Sequence, residues 1–197
     1  IFVKNNILTP KYISYSFNKS KLDLIKLIKK RLNFPVVVKP INEGSSVNVF
    51  ICSKINIFKK IKLLKNYKKI IIEELIPGRE IQAAIISSKK LGAIELRPKR
   101  KFYDYKAKYS VKAKTKHIIP VDLKKGKMNE VMNIALMAHR LIGCRGVTRS
   151  DFKFYKNKFY LLELNTQPGM TKLSLVPEIA NFKGINFANL IKWILKD

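Results

Sequence analysis

Residues 147–169, VTRSDFKFYKNKFYLLELNTQPG, hold the pattern on which the fold turns. Two strand-like runs, Val147 to Tyr155 and Phe159 to Leu164, are joined tightly around Asn157 and predict an antiparallel hairpin. Glu163 and Asn165 stand two apart on the second strand, so their side chains share a face while Leu164 turns toward the core. Directly opposed residues of an antiparallel pair also share a face. Asp151 therefore meets Glu163 if three residues, Lys156 to Lys158, form the loop. A two-residue loop sets Asp151 against Leu162 and separates the carboxylates, unless a bulge intervenes. An odd loop is the expectation.

Two carboxylates and an amide oxygen on rigid strands are hard ligands, suited to Mg²⁺ shared with nucleotide phosphates. Arg149, two before Asp151, shares its face and would neutralise charge beside the metal. The turn that follows, Thr166-Gln167-Pro168-Gly169-Met170-Thr171, offers backbone N–H groups able to hold an oxyanion. The plainer alternative is a solvated polar face of a hairpin.

Working outward, the rest of the chain reads as mixed α+β in two lobes, residues 1–76 and 77–197, with the boundary at the Pro77-Gly78 turn. In the first lobe, Leu22 to Leu32 has helical apolar spacing with Ser20 as N-cap, and Phe34 to Lys39 reads as a buried strand. Val47 to Cys52 and Lys69 to Leu75 are further strands, and Asn56 to Leu64 is a helix. In the second lobe, Glu80 to Ile86 and Gly92 to Leu96 read as neighbouring strands, and Asn129 to Ile142 as a helix ended by Gly143. Asn186 to Leu195 forms a last helix. Pro98 to Pro120 is a long, basic, tyrosine-rich connection, of a length that is usually either functional or disordered.

Composition narrows the partners. The formal charge is +28, but only seven of the 41 basic residues are Arg, and the excess Lys accompanies Ile and Asn, whose codons are A/T-rich. That is the mark of biased mutation, and no aromatic-interleaved nucleic-acid motif accompanies the lysines. With 13 acids in all, the placement of Glu43, Glu73, Glu80, Glu95, Asp104, Asp151 and Glu163 inside candidate functional segments is informative. No apolar run reaches the roughly 18 residues needed to cross a bilayer. Cys52 and Cys144 suggest neither disulfide nor zinc site, and His117 and His139 are read as surface or core residues without function. The opening Ile1-Phe2-Val3 lacks signal-peptide character, and the chain is expected to begin inside a longer protein.

Lys39 leads from a strand into Asn42-Glu43-Gly44-Ser45-Ser46, a small-residue loop able to close over phosphates, though it lacks the ending of a Walker A loop. Glu73-Glu74-Leu75-Ile76 ends a buried strand, where backbone groups can read an adenine edge while a carboxylate holds the ribose. Phe102 to Tyr109 mixes aromatics and cations and suits a lid that excludes water.

In order along nearly the whole chain, Lys39-Pro40, Glu43-Gly44-Ser45-Ser46-Val47, Glu73, Gly78 with Glu80, Phe102-Tyr103-Asp104-Tyr105 with Ala107-Lys108-Tyr109, Arg149 with Asp151, Leu162-Glu163, Asn165-Thr166, Pro168-Gly169-Met170-Thr171 and Ser174-Leu175-Val176-Pro177 resemble D-alanine:D-alanine ligases. The resemblance implies an ATP-grasp fold whose two lobes clamp ATP. It implies a cytoplasmic enzyme, homodimeric at full length, that joins two D-alanines through an acyl phosphate for peptidoglycan precursors. Lys39, Glu43, Ser45, Ser46 and Lys108 would meet phosphates, and Glu73, Glu74, Leu75, Ile76 and Glu80 the adenosine. Asp151, Glu163 and Asn165 would bind two Mg²⁺ or Mn²⁺ ions, with Arg149 and the Gly169 N–H at the oxyanion. Ser45 and Tyr109 would serve the substrate end, and Ser174 and Leu175 the second D-alanine carboxylate.

Three positions depart from the family pattern: a hairpin one residue short, Asn48 where Gly is usual, and Glu74 for a frequent Lys. The family's N-terminal lobe, which binds the first D-alanine and carries a catalytic Glu, has no counterpart here, so nucleotide binding without turnover is expected of this stretch alone. Another ATP-grasp carboxylate:amine ligase and a basic nucleic-acid-binding module are the competing functions.

Overall fold

The computed structural model describes residues 1–17, 20–44, 47–98, 115–171 and 174–196. The chain forms two compact units, one of Pro10–Ile76, the other of Ile1–Thr9, Pro77–Arg97 and the residues from Lys116 onward. The first nine residues thus belong with the second unit: Ile7 is buried in its core, and the Leu161 N–H donates to the Leu8 carbonyl at 2.8 Å. The Phe102 to Tyr109 lid segment lies outside the described residues, as do Ser45 and Ser46.

The first unit contains β1 (Tyr12–Tyr15), α1 (Lys21–Arg31), β2 (Val36–Pro40), β3 (Phe50–Cys52), α2 (Ile57–Leu63) and β4 (Ile70–Glu74). Ser20 caps α1 by accepting the Asp23 N–H at 3.3 Å, and Leu24 and Ile28 form its buried stripe. The sheet is antiparallel in the order β1-β4-β2-β3. Alternating burial of Val36 and Val38 on β2, and of Ile70 and Ile72 on β4, turns one face into a core with Ile57 and Ile61 of α2. The strand foreseen over Val47 to Cys52 begins only at Phe50, because Asn48 takes a positive φ of 55° that no extended strand permits.

The second unit contains β5 (Arg79–Ile86), β6 (Lys89–Arg97), β7 (Lys116–Ile118), α3 (Lys125–Leu141), β8 (Val147–Tyr155), β9 (Lys158–Asn165), α4 (Leu175–Phe182) and α5 (Phe187–Leu195). Its sheet runs β7-β6-β5-β8-β9, every pairing antiparallel. One face, with Ile81, Ala83, Ile85, Phe152 and Leu161, packs on Val131, Ala135 and Ala138 of α3. α4 was not foreseen from the sequence; it packs against β6 so closely that a Cβ on Gly92 would come within 2.8 Å of Ile179.

The hairpin loop is not the odd one that strand parity favoured. Tyr155 pairs with Lys158, leaving the two-residue turn Lys156-Asn157, with φ of 46° and 62°. Positive φ at both central positions matches strand twist and makes two residues sufficient. A bulge between Asp151 and Phe152 then absorbs Leu162 and restores Asp151 opposite Glu163. With Leu162 taken up by the bulge, strict alternation fails beyond it, and Leu164 is only half-buried.

Candidate functional site

Register on the second sheet sets polar residues in rows across the face turned away from α3. Leu96, Glu80 and Lys153 form one row, Ile94, Gln82, Asp151 and Glu163 the next, and Gly92, Ala84, Arg149 and Asn165 the third. The Asp151 side chain is 4% exposed and that of Glu163 43%, so the middle row runs from the interior to the surface. Arg149 donates to both Asp151 oxygens, Nε to Oδ1 at 2.7 Å and Nη2 to Oδ2 at 3.0 Å, and its Nη2 stands 3.9 Å from Glu163 Oε1. Asn165 Nδ2 donates to Glu163 Oε1 at 3.3 Å. Burial pushes the Asp151 carboxyl up to about 7, Arg149 opposing the rise and Glu163 adding to it.

Among the described residues no three His, Cys, Asp or Glu side chains gather as a metal cluster. A hard cation here would be held by two carboxylates and the Asn165 amide oxygen, a donor set that fits Mg²⁺ better than zinc. A divalent ion beside Asp151 would also relieve the cost of an ionised carboxylate in a buried position.

At the end of the same unit, a Cβ on Gly169 would lie 2.9 Å from Ser174 Oγ, so glycine lets the two segments meet. Ser174 Oγ accepts the Thr171 N–H at 3.0 Å and bonds Thr171 Oγ1 at 2.9 Å. Leu175 opens α4 with its side chain buried, leaving backbone N–H groups of the first turn as the donors available to a carboxylate. Glu80 accepts a hydrogen bond from Lys153 Nζ at 3.0 Å. Glu95, buried, accepts from Arg79 Nε and Nη2 at 3.0 and 2.6 Å and from Arg97 Nε at 2.8 Å.

In the first unit, Lys39 Nζ pairs with Glu73 Oε2 at 2.7 Å. Tyr67 OH donates to Glu43 Oε1 at 2.8 Å and accepts from Asn48 Nδ2 at 2.9 Å, bracing the loop on either side of residues 45 and 46. Glu74 Oε1 accepts the Lys11 N–H at 2.8 Å, which commits it to holding the chain that enters β1. Leu75 is half-buried and Ile76 buried, while Ser45, Ser46, Lys108 and Tyr109 lie outside the described residues.

The family described as D-ala D-ala ligase C-terminus matches residues 4–196. This chain belongs to it. A D-alanine–D-alanine ligase from Pelagibacter ubique (strain HTCC1062) is 68% identical over 197 residues, covering 100% of this chain and 65% of the relative. One from Wolbachia pipientis wMel is 42% identical over 202 residues, with 100% and 62% covered. The chain thus spans less than two thirds of either relative. The crystal structure of D-alanine–D-alanine ligase from Bacillus anthracis superposes with a TM-score of 0.85 at 31% identity, over 99% of this chain and 63% of that one. A structure of that enzyme complexed with ATP gives 0.80 at 26% identity, over 99% and 62%. The fold is α+β, of the ATP-grasp class.

Within this ligase-family chain, sequence reading passed over Gln82, Lys153, Tyr67 and both partners of Glu95. Gln82 and Lys153 carry a signal in retrospect, being on strands at the parity of Glu80 and Asp151. Tyr67 lies 24 residues from Glu43 and has no local pattern to mark it. His117 and His139, read as surface or core residues, hydrogen-bond to Glu178 at 2.6 Å and Thr148 at 2.9 Å.

Proposed function

We propose that the full-length protein is a cytoplasmic, homodimeric D-alanine:D-alanine ligase that phosphorylates the carboxylate of one D-alanine with ATP, then joins it to the amine of a second, releasing ADP and phosphate for peptidoglycan precursor synthesis. The observation that carries this reading is the cross-strand placement of Asp151 opposite Glu163, held by a bulge despite a two-residue turn, with Arg149 and Asn165 in the adjoining row. Asp151, Glu163 and Asn165 would hold two Mg²⁺ or Mn²⁺ ions, which when bound would offset charge on the transferring phosphoryl group.

The chain's own groups have distinct tasks. Lys39, poised on Glu73 at 2.7 Å, exchanges that partner for a nucleotide phosphate, and Lys108 is a second cation proposed to meet the phosphates. Glu43, fixed by Tyr67, holds the phosphate loop containing Ser45 and Ser46 in place. Glu73, Glu74, Leu75, Ile76 and Glu80 line the adenosine end, with Glu74 acting through the backbone that it fixes. Arg149 turns its guanidinium toward the tetrahedral oxyanion, assisted by the Gly169 N–H. Ser174 and the N–H groups beginning α4 receive the second carboxylate, and Ser45 with Tyr109 orients the attacking amine. The relatives' own names support D-alanine as the substrate.

Full-length protein supplied with Mg²⁺-ATP and D-alanine is expected to release phosphate in step with dipeptide formation. Phosphate release no faster with D-alanine than with L-alanine or D-serine would overturn the substrate while leaving the reaction class intact.

A further inference from the structure

Gln82 is 1% exposed, and its Oε1 is buried with no hydrogen-bond partner. Such an arrangement is costly, since a buried amide oxygen gives up water without recovering a bond. Its position supplies a reason. β5 and β8 pair without a break, so Gln82 directly opposes Asp151 and shares its face, and the β9 bulge brings Glu163 to the far side of Asp151. Three oxygen-bearing side chains stand in one row on three adjacent strands, with Arg149 donating one hydrogen bond to each Asp151 oxygen from the next row and leaving each further acceptor capacity.

We propose that Gln82 is a further positioning residue of the divalent-cation site, its amide oxygen accepting a hydrogen bond from the hydrated ion held by Asp151 and Glu163. Amide oxygen is a ligand type suited to a hard cation and its water shell. In the metal-free fold the amide is a net burden. In the loaded site it fixes the inner side of the row.

This inference rests on the metal reading above, and the two are separable by experiment. Full-length protein and the variants Gln82→Leu, Gln82→Met and Asp151→Asn are titrated with Mn²⁺ in the presence of ATP, the free ion being followed by electron paramagnetic resonance. Thermal unfolding is recorded without metal. Both Gln82 variants are expected to weaken Mn²⁺ binding by about tenfold or more, while their metal-free unfolding midpoints stay equal to the parent's or rise, because an apolar side chain replaces an unsatisfied one. Mn²⁺ binding within twofold of the parent in both, alongside a severe loss in Asp151→Asn, would overturn the role of Gln82 alone. A lowered metal-free midpoint in both would overturn it too, since the amide would then be serving the fold itself. Unchanged binding in Asp151→Asn as well would overturn the metal site and this inference together.

Discussion

Glu95 is 1% exposed and carries two guanidinium partners, Arg79 at 32% and Arg97 at 52% exposure. Burial alone would raise its carboxyl, yet hydrogen bonds and charge from Arg79 and Arg97 outweigh that and hold it below the ordinary range. A lowered folded value means that stability is present above the ordinary carboxylate range and is lost as pH falls through the lowered one. Glu95→Gln should therefore destabilise the protein at neutral pH by roughly 2–3 kcal/mol and flatten the acid limb of its stability curve, as denaturant titrations at several pH values would reveal. Equal slopes in parent and variant would contradict this. Tyr67→Phe, which unlinks Glu43 from Asn48, is expected to raise the KM for ATP while leaving overall stability within about 1 kcal/mol. Neither network was legible in the sequence: Glu95 could be marked as an acid in a functional segment, but its neutralising arginines depend on strand pairing and on side-chain reach. For Asp151, Glu163 and Asn165 the legible part was the period-two spacing that puts Glu163 and Asn165 on one face; the opposition of Asp151 to Glu163 depends on a bulge that the sequence does not mark.

The β8–β9 hairpin shows where element-scale reading stops. Strand parity opposes Asp151 to Glu163 only with an odd loop or a bulge, and the odd loop was the expectation; the chain instead keeps a two-residue turn and makes the adjustment inside the ladder, at Leu162. A bulge leaves almost no sequence signature; a turn is easier to foresee, and Lys156 and Asn157 at positive φ fit the two-residue kind. Replacing them by Asn and Gly is expected to stabilise the protein by about 1 kcal/mol, since Lys156 no longer occupies a left-handed conformation, and to leave Mg²⁺-ATP affinity unchanged. A change in that affinity would mean that the turn residues, and not the bulge, govern the opposition of the carboxylates. Gly78 is the opposite case. At φ 117°, with a Cβ that would fall 2.3 Å from the Phe154 carbonyl oxygen, Gly78→Ala should cost at least the roughly 1–3 kcal/mol of local strain, visible as a lowered unfolding midpoint.

At the scale of the molecule, two units each bury a separate core, and the ordered series of motifs along 197 residues identified the fold class where composition could not. The assignment of Ile1–Thr9 to the second unit was beyond sequence reading, because a short apolar lead such as Ile7-Leu8 carries no mark of which core it joins. Among the described residues no helix is long and apolar enough to cross a membrane. A charge of +28 invites non-specific polyanion binding, which should fall steeply with salt, whereas the ATP binding proposed for the carboxylate row should require the divalent ion. Calorimetric titration of ATP into the full-length protein with and without Mg²⁺, repeated with Asp151→Asn and Glu163→Gln, separates the two. Mg²⁺-dependent binding that weakens tenfold or more in each variant is expected; affinity that ignores Mg²⁺, or that is unchanged in both variants, would contradict the assignment of Asp151 and Glu163 to the cation.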